Sequence, residues 1–512
     1  MTTSTTVVPS REDRRATKKW LPPLRTIEEV TKLLKPDNGP RLNEIKLCWR
    51  DPQLQDMRNP TSSSATSKAV LHKKKIAALE KALKKSPSKI ERISVGWKHG
   101  DQRKSVIQLL QVFIHQAKAP ALQQLQSMEL VLVTWIPDTV LLQLLLPHAH
   151  KLRSLHIQAT RIKVRTKPKK MVFKNTYQSV HAVDSVVLQE ESAAKILATP
   201  RLADQLTNLT SLKFIDADVL DPEVNIIVRF LWRHYSRHGI EHLSLRSNRH
   251  MTPAALKQIC QAPVSKTLDL SLCNIKILGA KAIADALGNG DRNKNHSWRQ
   301  RHGIILQELA LCGNYQLDEQ ALIHLCQVCP YQVRHWNLSY CDMNEHKSLV
   351  VLRELTPALV RKDCPLTELT LQGSRINNSE ACRYIQHILK YNRSLTALRL
   401  DDPKYPHYLP SKPLLETIVQ GLHHNYGVQE LTLDVRWIRL YHNHGPPADP
   451  IQNEMDFYLY LNRAGRKLLQ ANDDNLLLHS KEAWIETLVK ARHTGRMDVL
   501  YWLVRNGVMH LF

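Results

Sequence analysis

The residues of this chain that could do chemistry are its cysteines and histidines, and their spacing does not assemble a recognised reactive centre. Cys326 and Cys329 form a C-x-x-C pair, but a zinc site needs a second pair or two histidines at ligand spacing, and only His324 lies close. An odd total of nine cysteines in a long chain without an apolar leader indicates reduced thiols. We therefore expect buried structural cysteines and no metal site.

No sequence motif of an enzyme is present. The phosphate-binding patterns G-x-x-x-x-G-K-[ST] and G-x-G-x-x-G are absent, and so are the hydrolase patterns G-x-S-x-G and H-E-x-x-H. The chain has 25 histidines, so chance pairs such as His442 and His444 are expected, and these two read as part of a solvated loop. We expect no catalytic residue and no cofactor.

Positive charge is strongly clustered. Lys and Arg number 72 against 47 Asp and Glu, giving a formal net charge of +25, which favours an acidic partner, nucleic acid or an anionic surface. The densest cluster, the basic insertion, spans residues 161–174, where Pro168 disfavours regular structure. Its candidate polyanion-binding residues are Arg161, Lys163, Arg165, Lys167, Lys169 and Lys170. Two interpretations stay open for it, namely a dedicated site or a solvated loop that has no partner.

A short apolar pattern recurs along most of the chain: an apolar residue, two variable residues, an apolar residue, one variable residue and a third apolar residue. The last two positions alternate with polar ones, as in a strand, and helix-like stretches such as residues 277–287 follow. The middle residues are Ile45, Ile93, Met128, Leu155, Leu212, Leu243, Leu268, Leu309, Trp336, Leu369, Leu398 and Leu431. This pattern predicts an α/β solenoid of stacked strand–helix units.

Small polar side chains stand five residues beyond the middle apolar residue in consecutive units. They are Asn248, Cys273, Asn314, Cys341 and Ser374. A turn that follows a buried strand leaves backbone groups that need partners, and these side chains are small enough to turn inward and supply them. We therefore predict a structural role for this offset.

Two stretches carry a resemblance to a known family. Residues 268–288 read LDLSLCNIKILGAKAIADALG and resemble a ribonuclease-inhibitor-type leucine-rich repeat, while residues 326–343 read CQVCPYQVRHWNLSYCDM and resemble the cysteine-containing type. The resemblance covers residues 209–435 well. It implies a horseshoe or arc with a parallel concave sheet and convex helices, packing or turn roles for Cys273, Cys329 and Cys341, and protein binding as the usual function.

One row of variable residues should face solvent on the concave side. It lies between the last two apolar positions and is mixed in charge, unlike a nucleic-acid-binding stripe. Trp49 and Trp97 each stand four residues past their middle apolar residue and could anchor a partner or simply cover a repeat edge. The predicted partner-binding residues are Lys46, Trp49, Trp97, His156, Lys213, Arg246, Asn337 and Arg399.

The pattern divides the chain into five parts. We predict an irregular basic segment over residues 1–40, divergent repeats over 41–206 with an insertion at 158–206, and regular repeats over 207–437. A linker at 438–456 and a helical cap at 457–512 would follow, the latter similar to a tail found after leucine-rich repeats in uncharacterised diatom proteins. No apolar run approaches the roughly 20 residues of a membrane span, so we expect a monomeric cytoplasmic or nuclear protein.

Three functions are compatible with these features. The first is a non-catalytic scaffold that binds a protein, possibly an acidic one, through the concave face. The second is a binder of nucleic acid or anionic surfaces through the basic clusters. The third is a regulator of an enzyme, either a GTPase activator or a ubiquitin-ligase substrate receptor, although residues 21–34 are too short for an F-box.

Replacing Lys167, Lys169 and Lys170 with Gln tests the basic insertion. If the insertion binds polyanions, the variant elutes earlier from heparin, and its log–log salt dependence of RNA binding becomes shallower by up to about 0.9 per lost phosphate contact. An unchanged slope would assign the charge of the insertion to solubility alone.

Overall fold

The computed structural model describes residues 27–34, 43–48, 62–97, 103–165, 188–288, 298–374, 376, 379–400, 412–432 and 450–464, together with residues 489, 498–502, 504 and 505. The chain divides into two compact units, Met1–Ala217 and Asp218–Phe512. We call them the N-terminal unit and the C-terminal unit.

The N-terminal unit contains a parallel sheet. Its strands are β1 (Glu44–Cys48), β2 (Arg92–Trp97), β3 (Ser127–Pro137), β4 (Ser154–Arg165) and β6 (Ser211–Ile215), while β5 (Leu188–Ser192) runs antiparallel to β4. The middle apolar residues of the sequence pattern are aligned across neighbouring strands. Each of them is at most 3% exposed, so the apolar triplets predicted from the sequence coincide with the strands and point into the core.

Helices connect these strands. They are α1 (Ile27–Leu33), α2 (Ser62–Lys85), α3 (Arg103–His115), α4 (Asp138–Leu145) and α5 (Pro200–Ala203), with 3-10 turns at Pro120–Leu122, Ala149–Lys151 and Ala193–Ala198. Helices α3 and α4 contact β3. A right-handed crossover through a helix is the usual way to bring successive parallel strands side by side.

The C-terminal unit repeats the same arrangement with shorter strands. These are β7 (Ile240–Ser244), β8 (Val264–Asp269), β9 (Leu306–Ala310), β10 (Val333–Asn337), β11 (Glu368–Thr370), β12 (Ala397–Arg399) and β13 (Glu430–Thr432), all parallel and paired in sequence order. Leu268, Leu309, Trp336 and Leu369 are in register and at most 1% exposed. The architecture is therefore α/β with repeated strand–helix units.

Helices of the C-terminal unit pack side by side behind the strands. They are α6 (Asp221–Tyr235), α7 (Pro253–Gln261), α8 (Ile277–Leu287), α9 (Trp298–Arg301), α10 (Glu319–Gln332), α11 (Glu345–Leu359), α12 (Ser379–Tyr391), α13 (Lys412–His424) and α14 (Pro450–Ala464). Several begin with a capping side chain. The side-chain oxygens of Thr252, Asp318 and Asn344 accept from the backbone N–H groups of Ala255, Ala321 and Lys347, which supplies partners for N–H groups that a helix start leaves unpaired.

A buried polar ladder closes the turns that follow β7 to β10. The Asn314 amide donates to the carbonyls of Leu311 and Leu270, at 2.7 and 3.1 Å, and its oxygen accepts from the N–H of Ile275 at 3.2 Å. The thiols of Cys273 and Cys341 donate to the carbonyls of Leu245 and Leu311 in the preceding unit, at 3.2 and 3.3 Å. Hydrogen bonds between consecutive units thus explain the structural role predicted for the Asn and Cys positions of the offset, whereas the buried hydroxyl of Ser374 has no hydrogen-bond partner among the described residues.

The residue before each ladder position adopts a left-handed conformation. Its φ is 65° at Ser247, 59° at Leu272, 71° at Gly313, 55° at Tyr340 and 82° at Gly373. A side chain in this region costs roughly 1–2 kcal/mol, and the ladder bonds offset that cost. Glycine avoids this cost at position 313, and a Cβ there would lie 2.4 Å from Cδ2 of Leu272 in the neighbouring unit, so that side chain would have to move.

A second ladder, which the sequence analysis missed, lies at the C-terminal ends of the last helices. The amides of Asn425 and Asn462 donate to the carbonyls of Leu389 and Val428, at 2.6 and 2.8 Å, and the Asn392 amide donates to the carbonyl of Leu359. All three asparagines are at most 1% exposed. Their spacing of 33 and 37 residues in the sequence is the only signal that could have shown them.

Regular elements lie within three segments that the sequence predicted to be irregular, linker or insertion. Residues 1–40 are not wholly irregular, because α1 buries Ile27 and Val30. The linker predicted at 438–456 overlaps α14, which begins at Pro450. The insertion predicted at 158–206 is partly regular, because β4 continues to Arg165, β5 pairs with it and Ile196 and Leu197 are buried. Residues 166–187 lie outside the described part of the chain.

Removing a ladder amide should destabilise the fold. We expect Asn314→Ala to lower the free energy of unfolding by roughly 2–4 kcal/mol, since two carbonyls and one N–H would lose buried partners. Urea denaturation followed by circular dichroism measures this change. Asn225→Ala is the matched control because the Asn225 amide makes one exposed bond, to the Asp221 carbonyl, and equal effects of both variants would contradict the role of the ladder.

Candidate functional site

The variable residues between the apolar positions form a continuous row in each unit. In the N-terminal unit the row is Lys46, Ser94, Glu129, His156 and Lys213, and in the C-terminal unit it is Ser244, Asp269, Ala310, Asn337, Thr370, Arg399 and Thr432. Lys213 and Asn337 are half-buried, between strand residues that are fully buried. The rows therefore lie on the strand face opposite the helices.

A polar network joins three side chains of the N-terminal row. The Ser94 hydroxyl donates to Oε2 of Glu129 at 2.7 Å, and Nδ1 of His156 lies 2.8 Å from Oε1 of the same carboxylate. These hydrogen bonds, the one from His156 first, lower the pKa of Glu129 against the opposing effect of burial, and the charge of Lys213 adds to the shift. Glu129 is thereby held ionised in the middle of the row.

This network does not have the order of a hydrolytic triad. In a triad the imidazole lies between the hydroxyl and the carboxylate and takes the proton of the nucleophile. Here the carboxylate of Glu129 lies between Ser94 and His156, and its lowered pKa makes it a weak base toward the serine hydroxyl. The order of the three groups is therefore not that of a Ser-His-Asp triad.

Arg399 is fully engaged within the C-terminal row. Its Nε and Nη2 contact both carboxylate oxygens of Glu430, at 2.9 and 3.0 Å, and its Nη1 contacts Glu368 at 3.0 Å. These bonds raise the pKa of Arg399 and lower that of Glu430. Because its forked guanidinium is already paired on both sides, Arg399 is poorly placed to bind an acidic partner.

The remaining predicted residues fall into three groups. Lys46 lies in the N-terminal row and pairs with Glu44 at 2.9 Å, whereas Arg246 is exposed just beyond β7. Trp97 is the last residue of β2, but its side chain lies outside the description. Trp49, Lys167, Lys169 and Lys170 lie wholly outside the described residues.

The start of the basic insertion is part of a β-ribbon and is not an irregular excursion. Arg161, Lys163 and Arg165 belong to β4, and Lys163 is in register with Glu190 of β5. The sequence indicated a cluster without carboxylates, but the antiparallel return brings Glu190 and Glu191 opposite it. The backbone register therefore places two acidic residues opposite the first half of the cluster.

Seven of the cysteines are buried in the core, and Cys312 is half-buried. Cys326 and Cys329 are fully buried in α10, and burial raises the pKa of both thiols, while it raises those of Cys260, Cys273 and Cys341 to about 12. These eight cysteines are free thiols, and no group of three or more potential ligands among the described residues is placed to hold a metal.

Two core residues between α8 and β9 follow no feature of the repeat pattern. Trp298 is fully buried and donates to the carbonyl of Ser236 at 2.6 Å. Arg299 is 5% exposed and donates to the carbonyls of Cys260 and Val264. Helix α9 therefore completes the core behind β7 and β8, and no repeat spacing signalled it.

A buried histidine lies close to positively charged side chains at the edge where the strands of the N-terminal unit begin. His148 is 3% exposed. Burial first, and then the charges of Lys151 and His150, lower the pKa of His148 to about 4. The imidazole is therefore neutral at physiological pH.

Comparison with known proteins gives few relatives. No protein-family model matches the chain, and no curated protein does. Similar solved structures include actin-binding site 2 of leiomodin-1, with 15% identity, coverage of 32% of this chain and 87% of that one, and a TM-score of 0.24. They also include the Rad7 and Elc1 complex of yeast, with 14% identity, coverage of 64% and 73%, and a TM-score of 0.31. At these values neither structure bears on what this chain binds.

Membrane insertion through a helix finds no support in the residues that the structure describes. None of their helices combines the length and the apolar character needed to cross a bilayer.

Stability should fall in mild acid because of His148. The unfolded residue takes up a proton near pH 6.5, whereas the folded one does so only near pH 4, so unfolding binds a proton between these values and stability decreases as the pH falls through that window. Relative to His148→Gln, the wild type should lose about 2–3 kcal/mol between pH 7.5 and 4.5. Urea midpoints across this range measure the difference.

His238, an exposed histidine outside this edge, supplies the control. A His238→Gln variant should keep the pH dependence of the wild type, and a His148→Gln variant that does the same would show that His148 is not the group responsible.

Proposed function

We propose that this chain is a leucine-rich-repeat protein that binds another protein through the strand face of its repeats and performs no catalysis. The repeat type is supported by the turn ladder of Asn314, Cys273 and Cys341, whose positions fit the two sequence stretches that resemble that family. The polar order of Ser94, Glu129 and His156 supports a binding role over a hydrolytic one.

The observation that carries the proposal is a polar, partly exposed face of a parallel sheet, on which the small residues Ser244, Ala310 and Thr370 are buried and the charged residues are half-buried. Parallel sheets are normally covered on both faces, and their strands are then apolar throughout. Here the side chains of Glu308, His335 and Glu368 form a second polar row beside the first, and all three are half-buried. A strand face that is polar and accessible over several repeats is suited to contact a partner.

The charge on this face indicates the kind of partner. The two rows of the C-terminal unit carry four carboxylates, Asp269, Glu308, Glu368 and Glu430, against one arginine, Arg399, whose charge is already paired. A neutral or basic protein surface complements such a face better than the acidic partner suggested by the net charge of +25. We therefore assign the excess positive charge to other parts of the chain.

Photo-crosslinking from Glu308 tests the proposal. A benzophenone side chain at position 308 should capture one defined protein in cell extract, whereas the same group at Arg383, exposed on α12, should not. The charge reversal Glu308→Arg should then weaken the purified complex at least about fivefold, since like charges would face each other.

The proteins changed at positions 308 and 383 must unfold at the same midpoint as the wild type, so that a loss of binding is not a loss of fold. Capture from position 383 alone, or an affinity unchanged by Glu308→Arg, would contradict binding through the strand face.

A further inference from the structure

Three consecutive repeats of the N-terminal unit form a polar groove at the edge where their strands begin. Its volume is about 790 Å³, and it lies beside the starts of β3, β4 and β6. The lining residues are Gln123, Gln124, Gln126, His150, Lys151, Arg153 and Asn208. The lining thus combines two permanent cations, a histidine and four amides, with no carboxylate among the described residues.

Hydrogen bonds between the loops fix the walls of this groove. The Lys151 ammonium donates to the carbonyl of Gln123 at 2.7 Å, and the Asn208 amide donates to the carbonyl of His150 at 2.6 Å. The backbone N–H of Arg153 donates to the carbonyl of Gln126 at 2.7 Å. Each repeat is therefore tied to the next, and the groove is formed before any ligand arrives.

The Arg153 guanidinium is available for a ligand. The side chain is exposed, and the described residues give it neither an ion pair nor a hydrogen bond, in contrast to the fully paired Arg399. The field at this edge is positive enough that Lys151 and His150 contribute to the lowered pKa of the buried His148.

A further cation extends the groove along the same edge. Lys89 is exposed in the loop that precedes β2 and stands four residues before Ile93, as Lys151 stands four residues before Leu155, while the equivalent residue before β3 is Gln124. Neighbouring strands lie about 4.7–4.9 Å apart, so Lys89, Gln124 and Lys151 follow one another along this edge. Glu91 and Asp204 are carboxylates near these cations. Lys84 and Lys85 have a different role, because they lie in the last turn of α2 and complement the C-terminal end of that helix.

The chemistry of the edge favours one class of ligand. A single phosphomonoester would need cations that converge on it, whereas these are spread in a line, as a phosphodiester chain requires. No large hydrophobic or aromatic side chain is exposed among the described residues of this unit, so there is no platform on which bases could stack. Binding through phosphates alone is independent of sequence.

We infer that this edge of the N-terminal unit, centred on Lys151 and Arg153, binds the phosphodiester backbone of nucleic acid. The site is separate from the strand face proposed for protein binding, and from the basic insertion at residues 161–174. It contacts phosphates and sugars through Arg153, Lys151 and the glutamine amides, and it accepts single-stranded and duplex nucleic acid alike.

Fluorescence anisotropy with a labelled 20-nucleotide single strand and the matching duplex, over a salt series, tests the inference. The double variant Lys151→Gln/Arg153→Gln should bind both probes about tenfold more weakly at low salt, and its log–log salt slope should be shallower by up to about 1.8, which is 0.9 for each of two lost contacts. Arg153→Gln alone, which removes no internal bond, should give about half of the change in slope.

The control variant Lys257→Gln/Lys281→Gln removes the same charge from exposed positions on α7 and α8, and it should keep the affinity and slope of the wild type. Equal losses for both double variants would reduce the effect to net charge and overturn the inference. The inference would also be overturned if only the variant Lys167→Gln/Lys169→Gln/Lys170→Gln lost affinity for nucleic acid. A third contrary outcome would be a phosphopeptide that binds in a way dependent on Lys151 and Arg153 while nucleic acid does not bind. None of these outcomes alters crosslinking from Glu308, which tests the protein-binding proposal independently.

Discussion

The hydrogen bond from a buried Asn or Cys to a carbonyl of the preceding unit is the constraint on which the rest of this structure depends. Each strand ends in a turn whose backbone groups are buried away from water, and such groups are costly unless they find partners. Asn314 satisfies three of them at once, and Cys341 reaches back to Leu311 in the same way. Because the bonds of Asn314 to Leu270 and Ile275, and that of Cys341 to Leu311, each join two units, the turn chemistry sets the stacking of the strands.

The stacking in turn produces the exposed strand face. Leu268, Leu309 and Trp336 are aligned across neighbouring strands and buried. The residues directly before and after each of them in its strand must therefore point to the opposite side of the sheet. Hydrogen bonds and ion pairs among these residues, such as Ser244 with Asp269 at 2.8 Å and Arg399 with Glu430, hold the row in place. A partner therefore meets a surface that is already ordered, which reduces the conformational entropy lost on binding.

The fold also places positive and negative side chains on different surfaces, which the net charge of the chain does not show. The net charge of +25 suggests an acidic partner for the whole chain, yet the strand face of the C-terminal unit carries mainly carboxylates. Exposed cations lie instead at the edge of the N-terminal unit, where Arg153 has no ion pair or hydrogen bond from its side chain to any described residue. A protein of mixed charge can thus present different surfaces to partners of different chemistry, because charged side chains interact strongly only over about one Debye length of 8–10 Å.

The sequence alone determined the repeated strand–helix pattern, the register of its apolar residues and the structural offset of Asn, Cys and Ser, because these depend on local periodicity and on backbone groups close in the chain. It could not reveal that Glu190 returns opposite Lys163, that Trp298 and Arg299 enter the core, or that Glu368 and Glu430 occupy Arg399. Nor could it show that Lys151 and Asn208 border one groove. The residues in each of these pairs lie 27 to 62 positions apart in the sequence. Only the stacking of the units brings them within the few ångströms at which hydrogen bonds form.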